Sequence, residues 1–190
     1  MLKRIGIIGD IGSGKSFVAT QFNCPVFNAD KEVIKIYKKN RVCFNKLRRK
    51  LPNHIKSYPI NKIELTKAIL DNKVNLNKIT KVIHPIIRKK MNFFLKKNKN
   101  KKVVILDVPL LLENRINKKN DILIFVQSKK LDILKRLKKR ANFNQKLLNK
   151  FRKLQLPLDY KKRKSHFIIK NNFTNRFVKR DVKYILKKIL

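Results

Sequence analysis

Short apolar segments alternate with segments of helical periodicity along this chain. Apolar residues run without interruption at 103–106 and 122–126, and shorter apolar runs lie at 5–8, 25–27 and 167–169. Runs of this length, bounded by polar residues, are typical of buried strands. Because such strands alternate with helical segments, the pattern predicts an α/β fold with a parallel, doubly wound sheet.

The region from residue 31 to about 98 has a different pattern, with apolar residues at helical spacing and lysine-rich faces between them. Pro52 and Pro59 interrupt it. One helical stripe crosses His84 and Pro85, where the proline predicts a helix start or a kink. The stripe consists of Ile79, Val82, Ile83, Ile86 and Ile87. We therefore expect a helical insertion between the second and third strands.

Two further helices are predicted in the C-terminal half. The first carries Leu131, Leu134 and Leu137, and the last carries Val178, Val182, Ile185, Leu186 and Ile189 on one side. A basic amphipathic helix can lie on a membrane, but we prefer a terminal helix that packs on the core. No apolar run reaches the ~18 residues of a membrane helix. The basic start of the chain is followed by too short an apolar stretch for a signal peptide, so we expect a cytoplasmic protein.

The composition is that of one domain with an unusual charge. The chain has 190 residues and a formal net charge of +40, with 39 lysines and 12 arginines. Nucleic-acid binding is one interpretation of this charge. A compositional bias towards lysine, asparagine and isoleucine is the other, and we favour it because the cations are spread along the whole chain. Cys24 and Cys43 have no metal-ligand spacing, which favours free thiols in the cytosol.

A phosphate-binding loop is the clearest chemical signal. All four glycines lie within residues 6–14, and residues 9–16 read G-D-I-G-S-G-K-S, between an apolar strand and a helix. Glycines let backbone N–H groups converge on phosphate. Lys15 then reaches the β- and γ-phosphates, and the Ser16 hydroxyl binds Mg²⁺. A simple strand-to-helix turn would explain the glycines but not the Lys-Ser pair.

The scarcity of glycine narrows the class of phosphate-loop protein. With no glycine after Gly14, neither the D-x-x-G switch of signalling GTPases nor the signature of ABC ATPases can exist. A small-molecule kinase remains, and it needs acids near the acceptor and the metal. Asp30 and Asp107 each follow a predicted strand, and Arg136 and Arg140 share one helix face. Helix capping by the acids and a solvated face for the arginines are the alternatives.

Several motifs together resemble one family, the dephospho-CoA kinases. They are Ile11 to Ser16, Asn28-Ala29-Asp30, His84-Pro85, Pro109 to Glu113, Arg136-x-x-x-Arg140 and Asn171-Asn172, in the family's order and at similar spacing. The resemblance implies a P-loop NTPase fold and ATP-dependent phosphorylation of the ribose 3′-hydroxyl of dephospho-CoA. It also implies one kinase domain at 1–190, with a core at about 1–30 and 101–190, a substrate region at about 31–98 and a lid at about 129–155.

The resemblance further implies roles for individual residues. The catalytic residues would be Lys15, Asp30, Arg136 and Arg140. ATP would be bound by Gly9, Asp10, Ile11, Gly12, Ser13, Gly14, Lys15, Ser16, Phe17, Arg140 and Asn171. The substrate side would consist of Asp30, His84, Pro109, Leu110 and Glu113. Mg²⁺ would be held through ATP by Ser16, with Asp107 as an indirect support.

Four departures from the family pattern stand out. Asp10 replaces the loop's usual second glycine, Asn28 replaces the first acid of D-A-D, Asn61-Lys62 replaces an Asp-Arg pair, and Ala141 replaces an acid after the lid arginine. A kinase for a nucleoside, nucleotide or shikimate-like acceptor is the second interpretation. A nucleic-acid-binding ATPase is a third, resting on charge alone. We expect no specific nucleic-acid partner, no membrane, and a monomer or weak homo-oligomer.

Overall fold

The computed structural model describes residues 2–140 and 143–190; Ala141 therefore lies outside the described residues. In the described part, one parallel sheet has the order β2-β3-β1-β4-β5. Its strands are β1 (Lys3–Gly9), β2 (Val26–Asn28), β3 (Val103–Asp107), β4 (Ile122–Gln127) and β5 (Phe167–Lys170). Each strand lies where the apolar runs predicted one, and the parallel sheet is confirmed.

The helices of the described residues fall into four groups along the chain. The first, α1 (Lys15–Thr20), follows β1 directly. Between β2 and β3 lie α2 (Ala29–Lys39), α3 (Arg41–Lys50), α4 (Lys62–Asp71) and α5 (Lys73–Lys97). After β4 come α6 (Lys130–Lys138), α7 (Gln145–Arg152) and α8 (Leu158–Lys164), and α9 (Asn175–Ile189) follows β5. The helical insertion between the second and third strands is thus observed.

The two faces of the sheet bury different helices. One face packs against α1 and α9, with Val18, Phe22 and Val182 among the buried residues. The other face packs against α2 to α5 and buries Phe27, Leu47 and Ile83 among others. Strands covered on both faces read as continuous apolar runs, which is why β3 and β4 could be predicted from sequence. The packing of α9 on the sheet confirms the core interpretation of the last helix.

Three local features differ from the sequence-based predictions. Helix α5 passes through Pro85 without ending, so a helix start at this residue is wrong. Leu131 is 72% exposed, and α6 instead buries Ile133 and Leu137. Helices α7 and α8 were not predicted individually, because both are short and mostly polar. No helix in the described part of the chain combines the length and apolar character that crossing a bilayer requires.

The sheet order brings three chain segments together at the carboxyl edge. Strand β1 lies between β3 and β4, so the loop after β1 is beside Asp107 at the end of β3. Asn28 pairs with Asp107 in the register of β2 and β3. In open parallel sheets this edge is where ligands bind. The residues that follow β1, β2 and β3 are therefore the first place to look for a site.

Candidate active site

The loop between β1 and α1 has a backbone shape that glycine alone adopts easily. Gly9, Gly12 and Gly14 have φ angles of +148°, +86° and +87°. A Cβ on Gly9 would lie 2.6 Å from the carbonyl oxygen of Val126, so a side chain there would collide with β4. The loop consequently curves tightly before α1, which is the kind of backbone that can bring N–H groups to a phosphate.

Side chains from two later segments support this loop from behind. The Asn171 amide donates to the carbonyl oxygen of Ser13 at 2.8 Å, and the Ser128 hydroxyl donates to the same oxygen at 2.9 Å. The Asn171 carbonyl oxygen accepts from the backbone N–H of Phe173. Because Asn171 is buried and both ends of its amide are used, its contacts in this structure serve to hold the loop.

Lys15 lies across the mouth of the loop. Its ammonium donates to the carbonyl oxygen of Asp10 at 2.7 Å and lies 3.4 Å from that of Gly9. Burial lowers the pKa of Lys15, and the nearby Asp107 carboxylate opposes that change. Within residues 2–140 and 143–190 this ammonium is held by backbone carbonyls and forms no ion pair, so it can turn towards an incoming anion.

Both carboxylate oxygens of Asp10 have a partner close to the loop. Oδ1 accepts from the backbone N–H of Ile11 at 2.6 Å. Oδ2 is 3.7 Å from the guanidinium of Arg152, at the end of α7. The carboxylate thus has one partner in the loop and one on α7.

The ends of β2 and β3 form a polar cluster beside the loop. The Asn28 amide donates to Asp107 Oδ2 and is 3.5 Å from the Ser16 hydroxyl. The side-chain carbonyl oxygen of Asn28 accepts a hydrogen bond from the backbone N–H of Lys31 and so caps α2. Asp107 is buried, at 4% exposure. An amide at position 28 can donate to this buried carboxylate, which a second carboxylate could do only when protonated.

Asp30 lies in the first turn of α2 and lines the same cavity. Asp30 as a whole is exposed at the cavity, but partial desolvation by the surrounding protein raises the pKa of its carboxyl group, and the Asp107 charge raises it further. Lys15 and Arg140 act in the opposite direction. A carboxyl group with a raised pKa, next to a phosphate loop, has the properties of a general base.

A cavity of about 620 Å³ joins these elements. One side is the phosphate loop with the strand ends, and the other is formed by residues of α6, α7 and α8. Arg136 and Arg140 line it from α6 and the segment after it, and Arg136 stacks 4.1 Å over the ring of Phe173. Phe151, Gln155 and Lys161 complete that side.

A buried ion pair fixes α8 to the loop after β3. The Lys161 ammonium is 2.6 Å from Glu113 Oε1, and the two side chains are 3% and 10% exposed. The same oxygen accepts from the backbone N–H of Leu156 at 3.0 Å. Glu113 therefore connects the loop after β3 to the chain between α7 and α8.

Comparison with known proteins now decides between the kinase classes. The family model for dephospho-CoA kinase matches residues 3–176. The chain belongs to the dephospho-CoA kinase family. A dephospho-CoA kinase of Wolbachia sp. subsp. Brugia malayi (strain TRS) is 32% identical over 187 residues, which cover 96% of this chain and 95% of that protein. Family membership makes this chain a kinase that uses ATP and acts on a small molecule.

Solved structures support the same fold. The Thermus thermophilus protein TT1252 aligns with a TM-score of 0.81 at 21% identity, over 99% of this chain and 98% of that one. Dephospho-CoA kinase from Campylobacter jejuni aligns with a TM-score of 0.65 at 22% identity, over 99% and 97% of the two chains. The P-loop kinase fold predicted from the sequence is confirmed.

The structure gathers most, but not all, of the residues predicted for a dephospho-CoA kinase site. Those lining the cavity are Gly9, Ile11, Gly12, Gly14, Lys15, Ser16, Phe17, Asp30, Asp107, Pro109, Leu110, Glu113, Arg136 and Arg140. Asp10, Ser13, His84 and Asn171 are outside this lining. His84 lies on α5, where partial burial and Arg88 lower its pKa. The roles assigned to all of these residues stay predictions.

Other cavity residues were missed from the sequence. Lys62 at the start of α4, Phe151 and Gln155 around the end of α7, and Lys161 on α8 line the cavity. Lys62 was noticed only as a departure from the family pattern. Among 39 lysines, a buried one such as Lys161 has no sequence signal of its own. The proline at Pro157, just before α8, marks a helix start that could have been predicted.

Proposed function

We propose that this protein transfers the γ-phosphoryl group of ATP to the ribose 3′-hydroxyl of dephospho-CoA, the last step of coenzyme A biosynthesis. The observation that carries the proposal is that one cavity brings Asp30, the phosphate loop and two arginines together in a member of this family. In this assignment the core binds ATP, helices α2 to α5 form the substrate region, and α6 and α7 form the lid.

The phosphate loop would bind the ATP phosphates. Its glycine backbone supplies N–H donors, the N-terminus of α1 adds partial positive charge, and Lys15 turns from the loop carbonyls to the β- and γ-phosphates. In this assignment Asn171 acts on ATP indirectly, through the loop carbonyl that it holds.

Ser16 and Asp107 fit a magnesium ion bound together with ATP. Residues 2–140 and 143–190 contain no group of three or more His, Cys, Asp or Glu side chains placed to hold a metal by themselves. Mg²⁺ typically uses one or two protein groups plus substrate phosphates and water, which agrees with a hydroxyl and one carboxylate beside the loop. The ion would neutralise charge on the phosphates.

Asp30 would act on the acceptor. Its carboxylate accepts or orients the proton of the ribose 3′-hydroxyl, and its raised pKa makes it a better base than an ordinary aspartate. Arg136 and Arg140 would stabilise charge on the transferring phosphoryl group, and closing of the lid would exclude water.

The acceptor would lie between the strand ends and the helical region. Pro109, Leu110 and Glu113 line the cavity on this side, and Lys62 supplies a cation from α4. Dephospho-CoA is long and anionic, and contacts to its pyrophosphate would help to position the hydroxyl. His84 would shape the substrate region from α5 without entering the cavity.

The proposal gives no role to the overall charge. The cations are spread over the surface, so we propose no specific nucleic-acid partner, and a monomer or weak homo-oligomer. The two cysteines are free, which is consistent with a reducing, cytoplasmic setting.

The test is an ADP-release assay with Mg²⁺ and ATP, run separately with dephospho-CoA, adenosine, shikimate and DNA. We expect strong stimulation by dephospho-CoA alone, with the new phosphate on the ribose 3′-hydroxyl. Adenosine should be far poorer, because it lacks the pyrophosphate and pantetheine arm that provide remote binding energy. Lys15→Ala protein, purified in the same way, is the control for contaminating activity.

The assay tests the acceptor and the kinase class separately. Equal rates with adenosine and dephospho-CoA, or phosphate at another position, would refute the acceptor while leaving the kinase class. DNA-stimulated hydrolysis that resists added salt would favour the nucleic-acid ATPase instead, because non-specific binding to DNA weakens steeply with salt.

A further inference from the structure

Asp10 places a negative charge inside a loop whose proposed ligand is also negative. The residue stands at a position where the phosphate loops of this family usually have glycine. At separations of a few ångströms, two like charges repel strongly even in a partly polar environment. A phosphate loop with an uncompensated carboxylate should therefore bind ATP less well than its glycine counterpart.

Two contacts change the electrostatics of this carboxylate. Oδ1 accepts from the backbone N–H of Ile11, which gives the carboxylate a hydrogen-bond partner in the loop itself. Oδ2 is 3.7 Å from Arg152, and the two side chains are 15% and 35% exposed. This pair is less accessible to water than an ordinary surface pair, so the guanidinium can offset part of the charge of Asp10.

Helix α7 is anchored in a way that sets the position of Arg152. The Lys150 ammonium donates to the carbonyl oxygens of Ile69 at 2.5 Å and Leu70 at 2.9 Å, in the last turn of α4. Leu148 is buried with Ile133 and Leu137, and Ile11 packs against the same cluster. The end of α7 is thereby tied to α4 on one side and to the phosphate loop on the other.

We propose that Arg152 is a positioning residue for ATP, acting through Asp10 rather than on the phosphates themselves. Its charge compensates the carboxylate that replaces glycine in the loop, and their pairing holds α7 against the loop that receives the nucleotide. This inference rests on the proposed use of ATP by the phosphate loop. It predicts that the importance of Arg152 depends on the charge at position 10.

A double-mutant cycle tests this dependence. The dissociation constant of a non-hydrolysable ATP analogue with Mg²⁺ is measured by calorimetry for the wild type, Arg152→Ala, Asp10→Asn and the double variant. Asparagine keeps an acceptor for the Ile11 N–H and removes only the charge. We expect Arg152→Ala to weaken binding by roughly five- to tenfold, Asp10→Asn to bind at least as well as the wild type, and the double variant to recover to within about twofold of it.

Two controls distinguish compensation from other effects. Lys153→Ala removes an exposed cation next to Arg152, and it should leave the analogue's dissociation constant unchanged if the general positive field is not responsible. Arg152→Lys keeps the charge and should recover most of the affinity. Thermal unfolding of each variant verifies that α7 remains folded.

The outcomes separate this inference from the proposed function. Equal losses on Arg152→Ala with and without Asp10→Asn would show direct contact with phosphate and overturn the inference. No loss on Arg152→Ala would also overturn it. Failure of the wild type to bind the analogue would overturn the proposed function, and the inference with it.

Discussion

The two walls of the cavity are built by different means. The strand-end wall consists of the phosphate loop, Asp30 and Asp107, with Asn28 bonded to Asp107, and each lies within three residues of a strand end or in the loop itself. The helical wall, from α6 to α8, is held by side chains that reach distant segments, such as Lys161 to Glu113 and Arg152 to Asp10. The comparison indicates that the groups proposed to react lie where the backbone fixes them, while the helical wall is positioned by side-chain contacts and is proposed to supply charge and closure.

The largest expected effect concerns the base on the strand-end wall. Asp30→Asn removes the proposed proton acceptor, and we expect kcat to fall by about 10²–10⁴-fold with little change in the affinity for ATP. Steady-state kinetics and calorimetry with the ATP analogue provide the two measurements. Asp159→Asn, an exposed acid of α8, is the matched control and should retain normal kcat. If Asp30→Asn mainly lost ATP binding, Asp30 would be a nucleotide or metal residue instead.

The second effect, on the same wall, concerns Lys15. Lys15→Ala removes the cation that would follow the transferring charge, and we expect kcat to fall by about 10²–10³-fold, as for loss of one stabilising group in other enzymes. The fold should be preserved, because the hydrogen bonds of the ammonium within the described residues are to loop carbonyls. Circular dichroism and thermal unfolding check this point. Near-normal turnover in the folded variant would refute the phosphate-loop assignment.

This wall is the part of the site that could be predicted from sequence. The positions of Lys15 and Ser16 follow from glycine spacing after a strand, and those of Asp30 and Asp107 from the ends of apolar runs. Parallel strands bring such residues to one edge whatever the rest of the chain does. Periodicity likewise predicted the helical insertion, although it did not show that α5 continues through Pro85.

The third effect is on the helical wall and should appear mainly in stability. Lys161→Met leaves Glu113 buried without its cation, and breaking such a pair costs about 3–5 kcal/mol of unfolding free energy. The loss of kcat in the folded variant should be smaller than for Lys15→Ala. Chemical denaturation measures the stability, and Lys162→Met, an exposed neighbour, is the control.

A double variant sharpens this prediction. Combining Lys161→Met with Glu113→Gln removes both charges and keeps an acceptor for the Leu156 N–H, so much of the lost stability should return. If the single and double variants were equally destabilised, packing rather than the ion pair would account for the effect.

The helical wall could not be predicted because its contacts connect residues far apart in the chain. Lys161 and Glu113 are separated by β4, α6 and α7, and the sequence around either residue does not indicate the other. The lysine bias adds to the difficulty, since a residue type that occurs 39 times in 190 positions carries little information. Asp10 was recognised as a departure, but the position of its partner, Arg152, depends on how α7 packs.

The smallest expected effect is a change in pH dependence on the strand-end wall. Asp30 must be ionised to accept a proton, and its pKa is raised above the ordinary value, so kcat should rise with pH through that higher pKa. Asp107 is one cause of the raised pKa. Asp107→Asn removes its negative charge and should move the acid limb of the kcat profile to lower pH, whatever it does to the maximal rate.

A second variant, expected to shift the pKa of Asp30 in the opposite direction, makes this test stricter. Asn28→Asp places a second carboxylate against Asp107. The added negative charge should raise the pKa of Asp30 and move the acid limb of the kcat profile to higher pH. The cap of α2 is kept, because aspartate also accepts a hydrogen bond from the Lys31 N–H. Asp132→Asn is the control: Asp132 lies on α6 of the helical wall and is not among the charges that shift the pKa of Asp30. This variant should leave the acid limb of the kcat profile unchanged. If the acid limb shifts in opposite directions in the two strand-end variants and stays unchanged in the control, the pKa of Asp30 is set by charges on the strand-end wall. An acid limb that stays fixed in all three would mean that the titrating group is not Asp30, and the base would then have to be sought elsewhere in the cavity.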